Sequence, residues 1–287
     1  EKMGAHPMTI DGVEGVYFAV WAPCAMRVSV VGDFNLWDGR RHQMRKVGEG
    51  DASVFELFIP GMAAGCGYMY EIKRQGKGTT RKLDPVSRQI SSVPITASVV
   101  SDENMPDSYA WNDGLWMIKR KKEAGKKKPV TVYEVSLTDW LKEKSADELV
   151  DFVKQEGYTH VCFLPVAEYL NEEMNGYSTL GYFAVTHRTG GSDAFKKLVD
   201  DCHNAGIGVI IDWNGAYFGT EVKGLYDFDG ADAYGYLKPS LEKHPEWDVA
   251  TFDYKKGAVR SFLLSSVLMW LNDYHIDGIR IDGVASM

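Results

Sequence analysis

The sequence predicts a chain of two domains that belong to different fold classes: an immunoglobulin-like β-sandwich, followed by the first half of a TIM (β/α)₈ barrel. Residues 1–105 contain short alternating segments separated by glycine-rich turns. Residues 129–287 instead repeat an apolar strand followed by an amphipathic helix. The 287 residues are about the length of two ordinary domains or of one complete barrel, so one architecture must be divided or incomplete.

The sandwich prediction depends on alternation and on turn residues. Val16, Phe18 and Val20 alternate with other side chains along one segment, as the inward-facing residues of a strand do. Glycine-rich breaks such as residues 65–67 (GCG) separate these segments at the spacing of antiparallel strands. We expect no helix of useful length in this domain.

A polar, charged segment at residues 106–128 is predicted to link the two domains, with a short helical turn around residues 115–121. After it come four apolar runs that predict parallel strands buried on both faces, at residues 130–137, 160–166, 208–213 and 278–284. Apolar residues recur at helical spacing between these runs, so four strand–helix steps are expected, without the fourth helix. Asp193 is expected to cap the second of these helices, and Gly157 and Gly206 to follow the ends of the first two.

Composition argues against several classes of function. A net charge of −8 and a pI near 5.4 disfavour nucleic-acid binding, which usually requires a basic excess on one face. No apolar stretch approaches the length of a membrane span, so we expect no membrane contact and a cytoplasmic location. The four cysteines follow no metal-ligand spacing, and most or all are expected to be buried thiols. Because the sequence also lacks a phosphate-binding glycine loop and histidines at metal-ligand spacing, we predict no cofactor and no metal site.

Polar residues at the predicted strand ends are the candidates for chemistry, because parallel α/β barrels place their working groups at the carboxyl ends of the strands. The third predicted strand ends in Asp212, and the fourth contains Arg280 and Asp282. Residues two apart on a strand share a face, so Arg280 is expected to lie beside Asp282 and keep it ionised through a charge-assisted hydrogen bond. The spacing equally fits a structural ion pair. The long connection at residues 217–253 is also expected to carry function.

Several motifs, in order along the chain, resemble glycoside hydrolase family 13 and, within it, the branching enzymes. Residues 277–287 (DGIRIDGVASM) resemble the fourth-strand motif of that family, and the VASM ending is particularly like branching enzymes. Residues 208–213 (GVIIDW) resemble the third strand. Residues 176–177 (GY) and 181–184 (GYFA) resemble the substrate-contacting segment after the second strand. In the first domain, residues 32–37 (GDFNLW) resemble a family 48 carbohydrate-binding module. The resemblance covers essentially the whole chain.

The resemblance implies roles for the strand-end residues. Asp282 would take the nucleophile position of a retaining enzyme, with Arg280 orienting it. Asp212 would shape the donor-sugar site, and Tyr177 and Trp213 would belong to segments that bind substrate. The implied partner is an α-glucan such as glycogen or starch, and the implied reaction makes α-1,6 branches.

The sequence also departs from the family pattern at residues that contact sugar. Tyr217 stands five residues after Asp212, where the family has a histidine that donates to the donor sugar. Tyr169 and Asn175 likewise replace family residues in the segment after the second strand. These changes imply weakened or altered substrate binding, so a non-catalytic glucan-binding or scaffolding relative stays open beside the enzyme. A hydrolase or debranching relative is a third alternative.

Retaining glycosyl transfer needs a second carboxyl group as acid, which the family provides from its fifth strand. Since the predicted elements reach only the fourth strand, these 287 residues are expected to be inactive by themselves. The open edge of a half barrel is expected to be covered by further chain or by self-association. Four aromatic residues of the first domain could stack on sugar rings, with at least half of them expected in its core: Trp21, Trp37, Tyr68 and Tyr70.

Overall fold

The computed structural model describes residues 3–92, 94–102, 109–126, 128–231, 233–236 and 249–287. In that part of the chain, two antiparallel sheets come first, and a four-stranded parallel sheet with helices follows. This order confirms the predicted β-sandwich and the predicted half barrel. Parts of the 106–128 linker and of the 217–253 connection lie outside the described residues.

The sandwich is built from nine of the described strands. They are β1 (Gly4–Ile10), β2 (Val13–Trp21), β3 (Arg27–Val31), β4 (Arg45–Val47), β5 (Val54–Pro60), β6 (Gly67–Arg74), β7 (Gly78–Lys82), β8 (Ile90–Ser91) and β9 (Ala97–Val99). One sheet has the order β1-β2-β5-β4, and the other has the order β3-β6-β9-β8, with β7 paired to β6. Val16, Phe18 and Val20 are buried as their alternation predicts, because the inward residues of two packed sheets meet in the layer between them.

Two of the aromatic candidates for sugar stacking lie in this core. The hydroxyls of Tyr68 and Tyr70 donate to Asp84 Oδ2 at 2.6 and 3.0 Å, and all three side chains are buried. Burial raises the pKa of both tyrosines well above the usual value, so both stay neutral donors. The expectation that at least half of the four aromatic residues are core is therefore met by Tyr68 and Tyr70.

The second half of the chain contains the parallel sheet and two antiparallel hairpins. Its strands are β10 (Val132–Val135), β11 (His160–Phe163), β12 (Ala167–Tyr169), β13 (Thr179–Val185), β14 (Gly208–Asn214), β15 (Tyr217–Phe218), β16 (Ala250–Thr251) and β17 (Gly278–Asp282). The helices are α1 (Gly114–Glu123), α2 (Leu137–Trp140), α3 (Ala146–Gln155), α4 (Gly191–Asn204) and α5 (Gly257–Asp273). The order β10-β11-β14-β17 is parallel throughout, while β12-β13 and β15-β16 are antiparallel hairpins.

The two outer strands of the parallel sheet are more exposed than predicted. Val132 on β10 and Ile281 on β17 each keep 43% of their surface exposed, whereas β11 and β14 are mostly buried. Burial on both faces, predicted for all four strands, is therefore wrong for the outer two. An edge strand has a neighbour on one side only, so its side chains lose much of the cover that an inner strand has.

The predicted helix ends are mostly correct. Gly157 and Gly206 have left-handed backbone just after α3 and α4, as the termination signal requires. Asp193, however, is not the N-cap of α4 but lies in its first turn, and Gly190 is the N-cap. The prediction failed because two consecutive left-handed glycines, Gly190 and Gly191, start the helix earlier than the polar pattern suggests.

A buried cluster of charged side chains joins helix α1 to the half barrel. The His203 side chain has no solvent exposure, and its Nδ1 lies 2.8 Å from Asp113 Oδ2 while its Nε2 lies 2.9 Å from Asp277 Oδ2. Trp116 stacks on the imidazole and donates its indole N–H to Asp277, and Arg120 also donates to Asp277. His203 is thus a buried structural residue.

The connection that follows β14 packs against the sandwich. The Leu83 N–H donates to the Lys223 carbonyl at 2.9 Å, and Arg74 Nη1 donates to Asp227 Oδ2 at 2.6 Å. Asp229 accepts the backbone N–H of Cys24. The described part of this connection therefore braces one domain against the other.

All four cysteines are unpaired, and two of them match the predicted burial. Cys162 on β11 and Cys202 on α4 are buried, whereas Cys66 is half-buried and Cys24 exposed, so the expectation that most or all are buried is wrong. Burial raises the pKa of the Cys162 thiol to about 11, which keeps it protonated at neutral pH.

Among the described residues, no helix has both the length and the apolar character that crossing a membrane requires.

The cluster around Asp277 should contribute measurably to stability. Burial alone would raise the pKa of Asp277, but its hydrogen bonds with His203, Val209 and Trp116 outweigh burial, and the pKa is lowered. Because the folded form binds the proton less tightly than the unfolded form, this stabilisation is present above the unfolded pKa of about 3.9 and is lost below it. We expect Asp277→Asn to lower the free energy of unfolding by about 3 kcal/mol at neutral pH.

Urea unfolding measures this loss, and the difference from wild type should shrink as the pH falls below the ordinary aspartate pKa. Asp201→Asn is the matched control, because Asp201 lies on α4 beside His203's helix turn but pairs with the exposed Lys197. Its loss should stay below about 1 kcal/mol. Equal losses in the two variants would contradict a special contribution from the buried cluster.

Candidate functional site

The predicted site residues of the third and fourth parallel strands face each other at the carboxyl ends of β14 and β17. The strand register pairs Asp212 with Arg280 and Asn214 with Asp282. Side chains two residues apart on a strand share a face, so all four point to the same side of the sheet. Parallel α/β proteins build their sites at this edge.

Asp212 is the buried centre of the group. Its side chain is inaccessible to water, and its Oδ2 accepts hydrogen bonds from Arg280 Nη2 and from the Tyr177 hydroxyl. The bond to Asp212 raises the pKa of Arg280, and burial together with the same carboxylate raises the pKa of Tyr177. In the described part of the chain, Asp212 Oδ1 has no hydrogen-bond partner. A buried acceptor of this kind suits a donor from a ligand, such as a sugar hydroxyl.

Arg280 does not contact Asp282 as the spacing predicts. Its guanidinium donates to Asp212, to Glu134 on β10 and, at 3.3 Å, to the Tyr177 hydroxyl. No ion pair joins Arg280 to Asp282 within the ranges that the structure describes. The reason is geometric: a directly opposite residue on a neighbouring strand is about 4.8 Å away, whereas the residue two places along the same strand is about 6.6 Å away.

Tyr217, instead of Arg280, holds the Asp282 carboxylate. Its hydroxyl donates to Asp282 Oδ2 at 2.7 Å, and burial and this carboxylate together raise the pKa of Tyr217. The Tyr217 carbonyl accepts from the buried Tyr182 hydroxyl at 2.8 Å, which fixes the backbone. Gly283 has a left-handed backbone, and a Cβ there would lie 3.1 Å from the Tyr217 ring. The glycine after Asp282 thus makes room for the tyrosine that contacts it.

Tyr177 is positioned by a residue that sequence reasoning missed. Asn214 Nδ2 donates to the Tyr177 carbonyl at 2.7 Å, and Asn214 Oδ1 accepts the backbone N–H of Tyr217 at 3.4 Å. Asn214 therefore connects both tyrosines of the site. Because Asn214 lies at the end of a predicted strand, its position was a signal that could have identified it as a site residue. Glu134, the second partner of Arg280, gave a weaker signal because it lies within the first strand rather than at its end.

Trp213, expected among the substrate contacts, lies outside the site. It is buried, its indole N–H donates to Ser266 on α5 at 3.2 Å, and its ring packs edge-on against Tyr182. Side chains alternate along a strand, so the residue after Asp212 points to the helix layer on the other face. Trp213 therefore packs the helix against the sheet.

Carboxylates are the chemically reactive groups of the site. In the described ranges, no group of three or more histidine, cysteine, aspartate or glutamate side chains could hold a metal ion. Asp282 Oδ2 is occupied by Tyr217, while its Oδ1 has no hydrogen-bond partner in the same residues. An oriented carboxylate with one unoccupied oxygen can act as a nucleophile or stabilise a cationic centre.

A family model and several known proteins are similar to this chain. The model of carbohydrate-binding module 48, the isoamylase N-terminal domain, matches residues 2–87. The 1,4-alpha-glucan branching enzyme GlgB of Methylococcus capsulatus is 44% identical over 99% of this chain and 39% of its own length. The enzymes of the same name from Thermosynechococcus vestitus and Gloeobacter violaceus are 43% and 44% identical over 100% of this chain, and 41% and 40% of their lengths are covered. The chain thus spans about two-fifths of the length of these curated relatives.

The fold has a counterpart among solved structures. The crystal structure of a protein assigned as an alpha amylase from Salmonella typhimurium matches 100% of this chain and 44% of its own chain, with a TM-score of 0.76 and 25% identity.

The hydrogen bond from Tyr217 to Asp282 can be tested by removing the hydroxyl. We expect Tyr217→Phe to lower the free energy of unfolding by about 2 kcal/mol, since a hydrogen bond to a charged acceptor contributes more than one to a neutral acceptor. The matched control is Tyr254→Phe, because the Tyr254 hydroxyl donates to the neutral Gly215 carbonyl at 2.6 Å. That variant should lose about 1 kcal/mol. Urea unfolding of both variants at neutral pH makes the comparison, and equal losses would contradict the stronger bond.

Proposed function

We propose that this chain, which is 43–44% identical to about two-fifths of the length of several 1,4-alpha-glucan branching enzymes, belongs to their family and acts in α-glucan metabolism. Its sandwich would bind glycogen or a starch-like polysaccharide. Its parallel sheet would provide the nucleophile side of a site that cuts an α-1,4-glucan and rejoins it through an α-1,6 bond.

The observation that carries this proposal is the carboxylate arrangement at the ends of β14 and β17. Asp282 is oriented by Tyr217 with one oxygen left for attack on a sugar carbon, and it takes the nucleophile position. Asp212 offers a buried, unpaired acceptor for a hydroxyl of the donor sugar. Tyr177, held over Asp212 by its own hydroxyl, would contact the same sugar. Arg280 would act on Asp282 only indirectly, through the Asp212 carboxylate that it neutralises.

A retaining mechanism also needs an acid. The second carboxyl group must lie roughly 5 to 5.5 Å from the nucleophile to protonate the leaving oxygen. The carboxylates described near Asp282 do not fit that role, because Asp212 and Glu134 are both bound to Arg280. We therefore propose that these 287 residues do not complete the reaction by themselves.

The sandwich surface that best fits a sugar ring is the turn at residues 33–37. Trp37 is half-buried, its indole N–H donates to Asp33 at 2.7 Å, and the Arg81 guanidinium lies 5.6 Å from its ring. Leu36 beside it is 80% exposed. Trp21 is a weaker candidate, because its ring packs against Tyr234 of the long connection. We propose Trp37 as the stacking residue.

A non-catalytic glucan-binding or scaffolding role is the second candidate. The absence of an Arg280–Asp282 contact within the described residues and the presence of Tyr217 at the family's histidine position favour it. The retained Asp282 and Asp212 favour the enzyme. Both candidates include glucan binding. A cytoplasmic location and self-association through the exposed edge strands stay predictions.

Glycogen binding is the first test. In native gels cast with glycogen, the chain should migrate more slowly than in gels without it. Trp37→Ala should weaken this affinity roughly tenfold, because losing an aromatic stacking contact removes about 1.4 kcal/mol of binding free energy. Leu115→Ala is the control, since Leu115 lies on α1 outside the sandwich and is 85% exposed. Unchanged migration of the wild-type chain in glycogen would contradict glucan binding.

Catalysis is the second test. When the chain is incubated with linear α-1,4-glucan, we expect no new α-1,6 branches, because the acid is not provided by the described carboxylates. Iodine staining and chain-length analysis after debranching measure the outcome. Asp282→Asn serves as the blank, and any branching by wild type above that blank would contradict the expected inactivity.

A further inference from the structure

A row of three polar side chains crosses from the sandwich to the half barrel. Ser92, which directly follows β8 of the sandwich, has its Oγ 3.3 Å from His187 Nε2. His187 Nδ1 lies 2.9 Å from Oε2 of Glu168, which is on β12. Asp212 and Asp282 have other hydrogen-bond partners, so the row is separate from the site described above. A hydroxyl, an imidazole and a carboxylate in this order form the arrangement that activates a serine as a nucleophile.

The Glu168 carboxylate orients the His187 ring. Glu168 is 2% exposed, and its Oε2 accepts the backbone N–H of His187 at 3.0 Å as well as the ring nitrogen. Arg188 Nη1 donates to Oε1 of the same carboxylate at 2.9 Å, which fixes its position. An ionised carboxylate only accepts hydrogen bonds, so a neutral imidazole beside it carries its proton on Nδ1. The lone pair is then on Nε2, the nitrogen that faces Ser92.

Close packing between the domains holds Ser92 near His187. Ile90, two residues before Ser92, is buried in an apolar cluster with Ala184 of β13. A Cβ on Gly181 would lie 2.7 Å from Ile90 Cδ1 and 3.1 Å from Glu168 Cβ. The missing side chain at Gly181 therefore allows the sandwich strand to lie close to the carboxylate that orients the imidazole. Both ends of the row are attached to strands, which position a site more rigidly than loops do.

The nucleophile and the base can be reached from solvent. The His187 side chain is 43% exposed, and Ser92 is half-buried. In such an open setting, water surrounds the oxygen that gains negative charge, and it stabilises that charge less than fixed donors in an enclosed site do. A slow reaction of this kind needs a substrate with a small acyl group and a good leaving group.

We propose that Ser92, His187 and Glu168 form a second active site, which hydrolyses small carboxylic esters and is independent of the α-glucan function proposed above. Ser92 Oγ bonds to the ester carbonyl carbon while its proton passes to His187 Nε2. The tetrahedral intermediate expels the alcohol, which takes that proton, and an acyl-Ser92 ester remains. Water then attacks the acyl carbon and gives a proton to Nε2, and the acid leaves as Ser92 regains that proton.

Labelling of the 287-residue chain with diisopropyl fluorophosphate tests the nucleophile. The serine oxygen bonds to phosphorus, fluoride leaves, and peptide mass spectrometry locates the adduct. We expect the adduct on Ser92 and its loss in Ser92→Ala. His187→Asn should slow labelling about a hundredfold, because asparagine keeps an N–H donor for Glu168 but provides no base. Ser261, which is exposed on α5, is the internal control and should stay unlabelled.

Turnover is measured with p-nitrophenyl acetate in a Cys24→Ser background, because the exposed Cys24 thiol would itself react with the ester. Release of p-nitrophenol should continue past the stoichiometric burst. Ser92→Ala and His187→Asn should each lower the rate about a hundredfold. Ser261→Ala is the matched control and should leave the rate unchanged. Thermal unfolding establishes that each variant is folded.

The outcomes separate this proposal from the α-glucan function. An adduct on Ser92, together with turnover that depends on His187, supports the second active site. An unlabelled Ser92 overturns it, as do labelling without turnover, equally fast labelling of folded His187→Asn, and wild-type turnover in Ser92→Ala. Retardation by glycogen in native gels reports on α-glucan binding alone, so either proposal can fail without the other.

Discussion

A carboxylate without access to water must be neutralised by partners within the protein. The buried Asp212 carboxylate therefore determines which side chains meet at the carboxyl edge of the parallel sheet. The Asp212 carboxylate accepts hydrogen bonds from the Arg280 guanidinium on β17 and from the Tyr177 hydroxyl in the turn after β12. Arg280 also donates to Glu134 on β10. Three of the four parallel strands are thereby tied together by one buried charge. A buried charge with a missing partner costs several kcal/mol, which makes this arrangement strongly preferred.

The burial of Asp212 also determines which donor contacts the Asp282 carboxylate. Because Arg280 is committed to Asp212, the Asp282 carboxylate is held by a neutral donor, the Tyr217 hydroxyl. A neutral hydrogen bond orients a carboxylate but stabilises its charge less than a guanidinium does. The long connection that contains Tyr217 also packs on the sandwich through residues such as Asp227. The position of the Asp282 carboxylate is thus linked to the contact between the two domains.

Much of the fold could be predicted from sequence because its signals are local. Apolar runs, alternation and helical periodicity follow from the backbone geometry of a single element, and each predicted strand of the parallel sheet is present. Gly157 and Gly206 mark helix ends for the same reason. Burial of the outer strands was predicted wrongly, because an apolar run does not reveal whether its strand has one neighbour or two. The sequence does not indicate that His203 bridges two aspartates, since its partners lie 90 and 74 residues away.

The sequence by itself determined which chemical groups stand at the strand ends, the order of the domains, and the relationship to the α-glucan enzymes. The residue types and their positions within each strand are enough for that, since a strand's alternation places Asp212, Arg280 and Asp282 on one face. Only the tertiary structure decided the pairing among them. Which carboxylate Arg280 contacts depends on the register between β14 and β17, and which donor reaches Asp282 depends on how the connection after β14 folds back. Both are relations between segments far apart in the chain, which spacing along one strand does not encode.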